Sequence, residues 1–124
     1  RLRTVTGVQT CALPICILPD MLGTGHSART SAVHHSIEGR FAIREGASKL
    51  CLCQGSGGWS KGGKDAPAQL YDLSGDVDEQ SNLQAKKPED VKRLTDLLDR
   101  IVTDGRSTPG TPQQNEAMVN VTRK

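Results

Sequence analysis

Hydrophobic and polar positions alternate in short runs between residues 31 and 55, and recur every three or four positions between residues 88 and 103. The first region reads SAVHHSI, GRFAIREG and KLCLCQG, with turn residues Glu38-Gly39 and Glu45-Gly46 between the runs. Period-two alternation sends successive side chains to opposite sides of a strand, so these runs predict an antiparallel meander. Phe41 and Ile43 then share one face, and so do Leu50 and Leu52. GSGGWSKGGKDAP, residues 55–67, holds too much glycine for anything but a loop. AQLYDL, residues 68–73, predicts a further strand that leaves into a polar turn.

The second region predicts a helix over Pro88–Thr103. Proline suits the first helical position, and Glu89 and Asp90 favour the positive end of the helix dipole. Val91, Leu94, Leu97, Leu98, Ile101 and Val102 form one apolar stripe, with Arg93 and Asp96 on the polar side. Gly105 supplies a left-handed stop. Residues 106–124 read as a polar tail with two prolines and little to bury. The fold class is α+β: a small antiparallel sheet packed by one amphipathic helix, spanning residues 16–105.

The start of the chain breaks this pattern. A secretory signal needs a basic start and an unbroken apolar stretch. Arg1 and Arg3 provide the first, but Gly7, Gln9, Thr10 and Pro14 interrupt the second. As a strand, residues 5–12 alternate weakly and lack a turn partner. The eleven residues VTGVQTCALPI resemble the conceptual translation of a sequencing-library adapter. Residues 1–15 are therefore set aside as non-native. CILPDMLG, residues 16–23, reads as the end of a helix.

Charge gives no direction. Of 124 residues, 16 are basic and 14 acidic, and two of the bases, Arg1 and Arg3, fall in the excluded segment. The balance is no argument for nucleic-acid or membrane partners. One Phe, one Trp and one Tyr leave few large side chains for a core. Of the four cysteines, Cys11 and Cys16 lie in or beside the excluded segment. Cys51 and Cys53 share a strand face without a partner pair, and read as small buried hydrophobes.

Three motifs carry candidate chemistry. Residues 58–64 match the phosphate-loop pattern up to its last position, which is Asp65 instead of Ser or Thr; a strand, not a helix, is expected to follow. His34 and His35, with His26 upstream, suggest metal, but neighbours on a strand face opposite ways and cannot chelate one ion. One imidazole remains a candidate for substrate contact. Trp59, alone among glycines, is expected to cover the sheet, with a sugar-stacking platform as the alternative. No Cys/His or Ser/His/Asp arrangement emerges, so the residues by themselves describe a small α+β unit without an active site.

AVHHSIEGRFAIREGASKLCLCQGSGGWS and PAQLYDLSGDVDEQSNLQAKKPEDVKRLTDLLDRIVTDGRSTPG together resemble the C-terminal region of bacterial type I sulfatases, arylsulfatase-like members of the alkaline-phosphatase superfamily. The sharpest pieces are HHS–GRFAIR–G–KL, then LYDL followed by Asp76, Glu79, Asn82 and Leu83 at fixed offsets, then DGRSTPG. Ser48 departs from the family's usual Trp. The resemblance implies a sulfuric ester hydrolase as parent, in which a C-x-P-S-R motif yields formylglycine and a calcium ion stabilises the sulfate charge. It also implies a periplasmic or secreted location. This sequence lacks that motif, so no catalytic or metal-binding residue can be carried over. The expected role is a C-terminal fragment, inactive alone and without a cofactor of its own. Its partners would be the missing N-terminal catalytic domain and a sulfated carbohydrate or aryl substrate. Arg29, His34 and His35 are the candidates for lining the substrate cleft. An independent small binding module, not an enzyme, is the alternative.

Overall fold

The structure is a computed structural model, and it describes residues 21–24, 29–60, 67–108 and 110–121. The readings for residues 1–15, Cys11, Cys16, His26 and the Lys64 end of the phosphate-loop pattern lie outside these residues.

Four strands form one sheet: β1 (Ser31–His35), β2 (Phe41–Glu45), β3 (Ser48–Cys51) and β4 (Gln69–Asp72). They lie in chain order with every pair antiparallel, which is the expected meander. A two-residue turn joins β2 to β3. The Ser36 hydroxyl accepts from the Arg40 N–H at 3.0 Å and helps close the turn between β1 and β2. β4 follows the glycine-rich loop directly, so the helix that a phosphate loop requires is absent from this position.

Register explains the core. Val33, Ile43, Leu50 and Leu70 stand opposite one another across the four strands. Helix α1 (Pro88–Thr103) lies against β2 and β3 on this face. Leu94 and Leu98 meet Ile43, Leu50 and Leu70 in the core, and all five are essentially inaccessible to water. Val91, Leu97, Ile101 and Val102 flank them, half-buried. Each fully buried aliphatic side chain contributes roughly 1.5–3 kcal/mol, so this small cluster carries most of the fold. Arg93, on the polar side of the helix, is paired with Glu45 at the end of β2 and with Asp90.

The helix begins at Pro88 with Lys87 as its cap residue, and it ends in two backbone bonds. Gly105 N–H donates to Val102 O at 3.1 Å and Arg106 N–H to Ile101 O at 3.2 Å. This closure requires a left-handed residue, and Gly105 has φ +61°. The tail departs from its sequence reading. Val121 is 7% exposed and joins the core, while the Asn115 amide donates to Val102 O at 2.6 Å. Together with the bond from Gln113 N–H to Asp104 O at 2.7 Å, these hold the tail against the end of the helix.

The connection between β4 and α1 gives structural work to the fixed offsets. Asp76 accepts from the N–H groups of Gln80 and Ser81 at 2.9 and 2.8 Å. The Asn82 side chain pairs with β4 as a strand would: its Oδ1 accepts from Leu70 N–H at 3.0 Å and its Nδ2 donates to Ala68 O at 3.2 Å. Leu83 N–H then donates to Leu70 O at 2.8 Å, and its side chain packs on the core.

Candidate functional site

The same alternation that buries one row of the sheet turns the next row outward. Ala32, Arg44, Lys49 and Tyr71 are in register on the face away from the helix, and so are His34, Ala42, Cys51 and Gln69. A cavity of about 490 Å³ lies over this face, bounded by both histidines, by the β1–β2 turn and by Gly55 and Ser56 of the following loop.

Hydrogen bonds fix its floor. Lys49 is ion-paired with Glu79 at 2.5 Å, across thirty residues of chain. Glu79 holds a left-handed backbone, φ +56°, which is uncommon outside glycine. The Tyr71 hydroxyl donates to Gln69 Oε1 at 2.7 Å, and Gln69 Nε2 donates to the carbonyls of Cys53 and Gly55 at 2.9 and 2.8 Å. Gln69 thereby ties the glycine-rich loop to the sheet. Burial pushes the Cys51 thiol up to about 11, although the neighbouring Lys49 pulls the other way. Burial likewise raises the Tyr71 hydroxyl. For Lys49, burial is the largest influence and works against the charge, but the hydrogen bond to Glu79 together with the charges of Cys51, Glu79 and Tyr71 outweighs it, and the ammonium is raised.

Sequence reasoning located part of this site. His34 stands in the outward row, and its ring lines the cavity. His35 leaves the strand on the other side and meets the Phe41 ring edge-on at 4.2 Å, yet it too borders the cavity. The two imidazoles diverge, as the strand geometry required. Arg29 is exposed, two residues before β1, and is not among the described residues lining the cavity. Arg40, Arg44, Lys49, Gln69 and Tyr71 were not singled out from the sequence, and Glu79 was marked only as one of the fixed offsets. The outward positions of the predicted strands contained the signal for Arg44, Lys49, Gln69 and Tyr71, because they alternate with the apolar core row. Trp59 overturns its expectation. It is 86% exposed and does not cover the sheet, because its loop stacks on the β1–β2 turn instead.

Among the described residues, no group of three His, Cys, Asp or Glu side chains could hold a metal ion. Cys51 and Cys53 are both free thiols.

No family model matches the chain. It is similar to an N-acetylgalactosamine-6-O-sulfatase of Bacteroides thetaiotaomicron, 32% identical over 91 residues. That match takes in 69% of this chain and 18% of the relative. A solved sulfatase structure, described with the metabolism of multiple glycosaminoglycans by Bacteroides thetaiotaomicron, superimposes with a TM-score of 0.56 at 31% identity. It covers 68% of this chain and 18% of that one. The resemblance to the sulfatases read from the motifs thus holds in sequence and in fold, and the chain spans about a fifth of the length of these relatives.

Proposed function

We propose that this chain is the C-terminal part of a larger sulfatase, packed on a catalytic domain of the same polypeptide and lining its substrate cleft. The observation that carries the reading is the match to sulfatases over most of this chain but only 18% of theirs. The division of labour follows from chemistry. Sulfate ester hydrolysis needs a nucleophile and concentrated positive charge around the departing sulfate. This sequence contains no C-x-P-S-R run that could yield the formylglycine nucleophile. Among the described residues no group of His, Cys, Asp or Glu side chains could hold a metal ion, and Asp76 and Asp72 are taken up by Gln80, Ser81 and Ser74. Nucleophile and calcium therefore belong to the remainder of the parent enzyme. This part supplies a rigid, polar wall on which His34 and His35 stand. The parent would act in the periplasm or outside the cell. No described helix is long and apolar enough to cross a membrane.

Two measurements test the reading. The purified chain should not hydrolyse a generic aryl sulfate with or without calcium, and calcium-dependent turnover would overturn it. The genomic reading frame upstream of residue 17 should contain a C-x-P-S-R motif. A natural start codon just before that residue would point to an independent binding module.

A further inference from the structure

The two margins of the sheet differ. Just past β1, the Ser36 N–H donates to Arg40 O at 2.9 Å. Ladder bonds between antiparallel strands fall on every second residue, so Ala32 and His34 turn their backbone groups toward Arg44 and Ala42 of β2. The far side of β2 agrees: Leu52 N–H donates to Phe41 O at 2.9 Å, which commits Phe41 and Ile43 to β3. Val33 and His35 therefore point their N–H and C=O groups away from the sheet. Among the described residues, nothing takes these four groups. Ser31, at the head of the strand, is buried, whereas His34 and His35 are exposed. The opposite margin is closed. Leu70 has its N–H on Asn82 and its C=O on Leu83, and Asp72 O accepts from Gly75 N–H at 3.4 Å and Asp76 N–H at 3.0 Å. Open edges in soluble proteins are commonly blunted by lysine, proline or a bulge. β1 reads SAVHH, without lysine or proline, and pairs with β2 residue for residue.

We infer that two copies of this chain associate through β1, joining their four-stranded sheets into one continuous sheet about a two-fold axis at His34. The inference goes beyond the sulfatase reading and does not depend on it. An antiparallel copy of β1 offers the same groups in reverse order. With the axis at His34, Val33 of each copy bonds His35 of the other through both N–H and C=O, and none of the four groups is left over. The strand carries no lysine, arginine or carboxylate to repel its copy. On the core side, α1 lies against β2 and β3 and leaves Val33 half-buried at the end of its row. The other copy's His35 ring would stand against that valine, as His35 of the same chain already packs edge-on against Phe41. The closed β4 margins then lie at the two outer ends, so growth stops at two copies. Pairing over so short a stretch makes a small interface, and hence a weak, reversible dimer.

The test follows the full chain by sedimentation velocity over a concentration series, with amide hydrogen exchange read by NMR. The chain should pass from monomer to dimer with a dissociation constant on the order of 10–100 micromolar. The Val33 and His35 amides should exchange more slowly as the dimer forms, while the Leu70 amide stays protected throughout. His35→Pro removes one outward N–H per copy, spares the bonds to β2 and should abolish the dimer. His34→Lys sets two like charges against each other on the axis and should weaken the dimer at least about fivefold, with native circular dichroism. Should His35→Pro fail to fold, the exposed His34 position carries the test alone. Four results would overturn the proposal: a monomer at every concentration, a species larger than a dimer, a dimer that His34→Lys leaves at full strength, or Val33 and His35 amides already protected in the dilute monomer. The last would show that another stretch of the same chain occupies the edge.

Discussion

Three side chains of the polar face titrate on the alkaline side, and all three shift in one direction. Cys51 and Tyr71 are held neutral by burial, above their ordinary values of 9.0 and 10.0. Lys49 is held charged by Glu79, above 10.5. In each case the folded state keeps its proton to higher pH than the unfolded chain does. Their stabilisation is therefore complete below the unfolded values and is lost as pH rises through the folded ones. Urea midpoints should hold steady up to about pH 8 and fall progressively from about pH 9 upward. A midpoint that rises over this range would contradict the arrangement of Lys49, Cys51 and Tyr71. The Cys51 thiol, at about 11, should also alkylate far more slowly at about pH 8 than an ordinary thiol, by roughly a hundredfold. Mass mapping after timed iodoacetamide treatment reads this site by site.

At the scale of elements, α1 and the sheet stand or fall together through Leu94 and Leu98. Leu98→Ala should cost roughly 2–5 kcal/mol by denaturant titration, because the site is fully enclosed. Asp99→Ala, on the exposed side, should stay within about half a kcal/mol. Equal small losses would mean that the helix does not dock. The helix was legible because its stripe, its proline start and its glycine stop are local signals. The strands were legible because their alternation is local too. What escaped was long-range. Lys49 finds Glu79 thirty residues away, and Asn82 finds the backbone of β4. Neither pairing leaves a trace in a window of neighbouring residues. Trp59 was misread for a related reason. A lone aromatic suggests core, and only the seating of its loop on the β1–β2 turn decides that it faces water. Val121 escaped because one valine in a polar tail is too weak a signal to predict its burial.

For the molecule as a whole, the offsets that mark this sequence as sulfatase-like are explained by assembly of the unit before any chemistry. Asp76 shapes a turn, Glu79 neutralises Lys49, Asn82 completes the sheet and Leu83 fills the core. Spacing of this kind identifies a scaffold.

The amide of Asn82 has a further consequence, for solubility. A sheet margin with free N–H and C=O groups is an invitation to other chains, and β4 withdraws that invitation with a single side chain. Removing it should expose the Ala68 carbonyl and the Leu70 N–H to any strand that drifts by. Asn82→Ala is therefore expected to make the elution volume shift more strongly with concentration than that of the unsubstituted chain, at temperatures where its circular dichroism is still native. A shift no stronger than that of the unsubstituted chain would mean that Leu83 alone protects the margin. On this view Asn82 keeps copies of the chain from growing into one another.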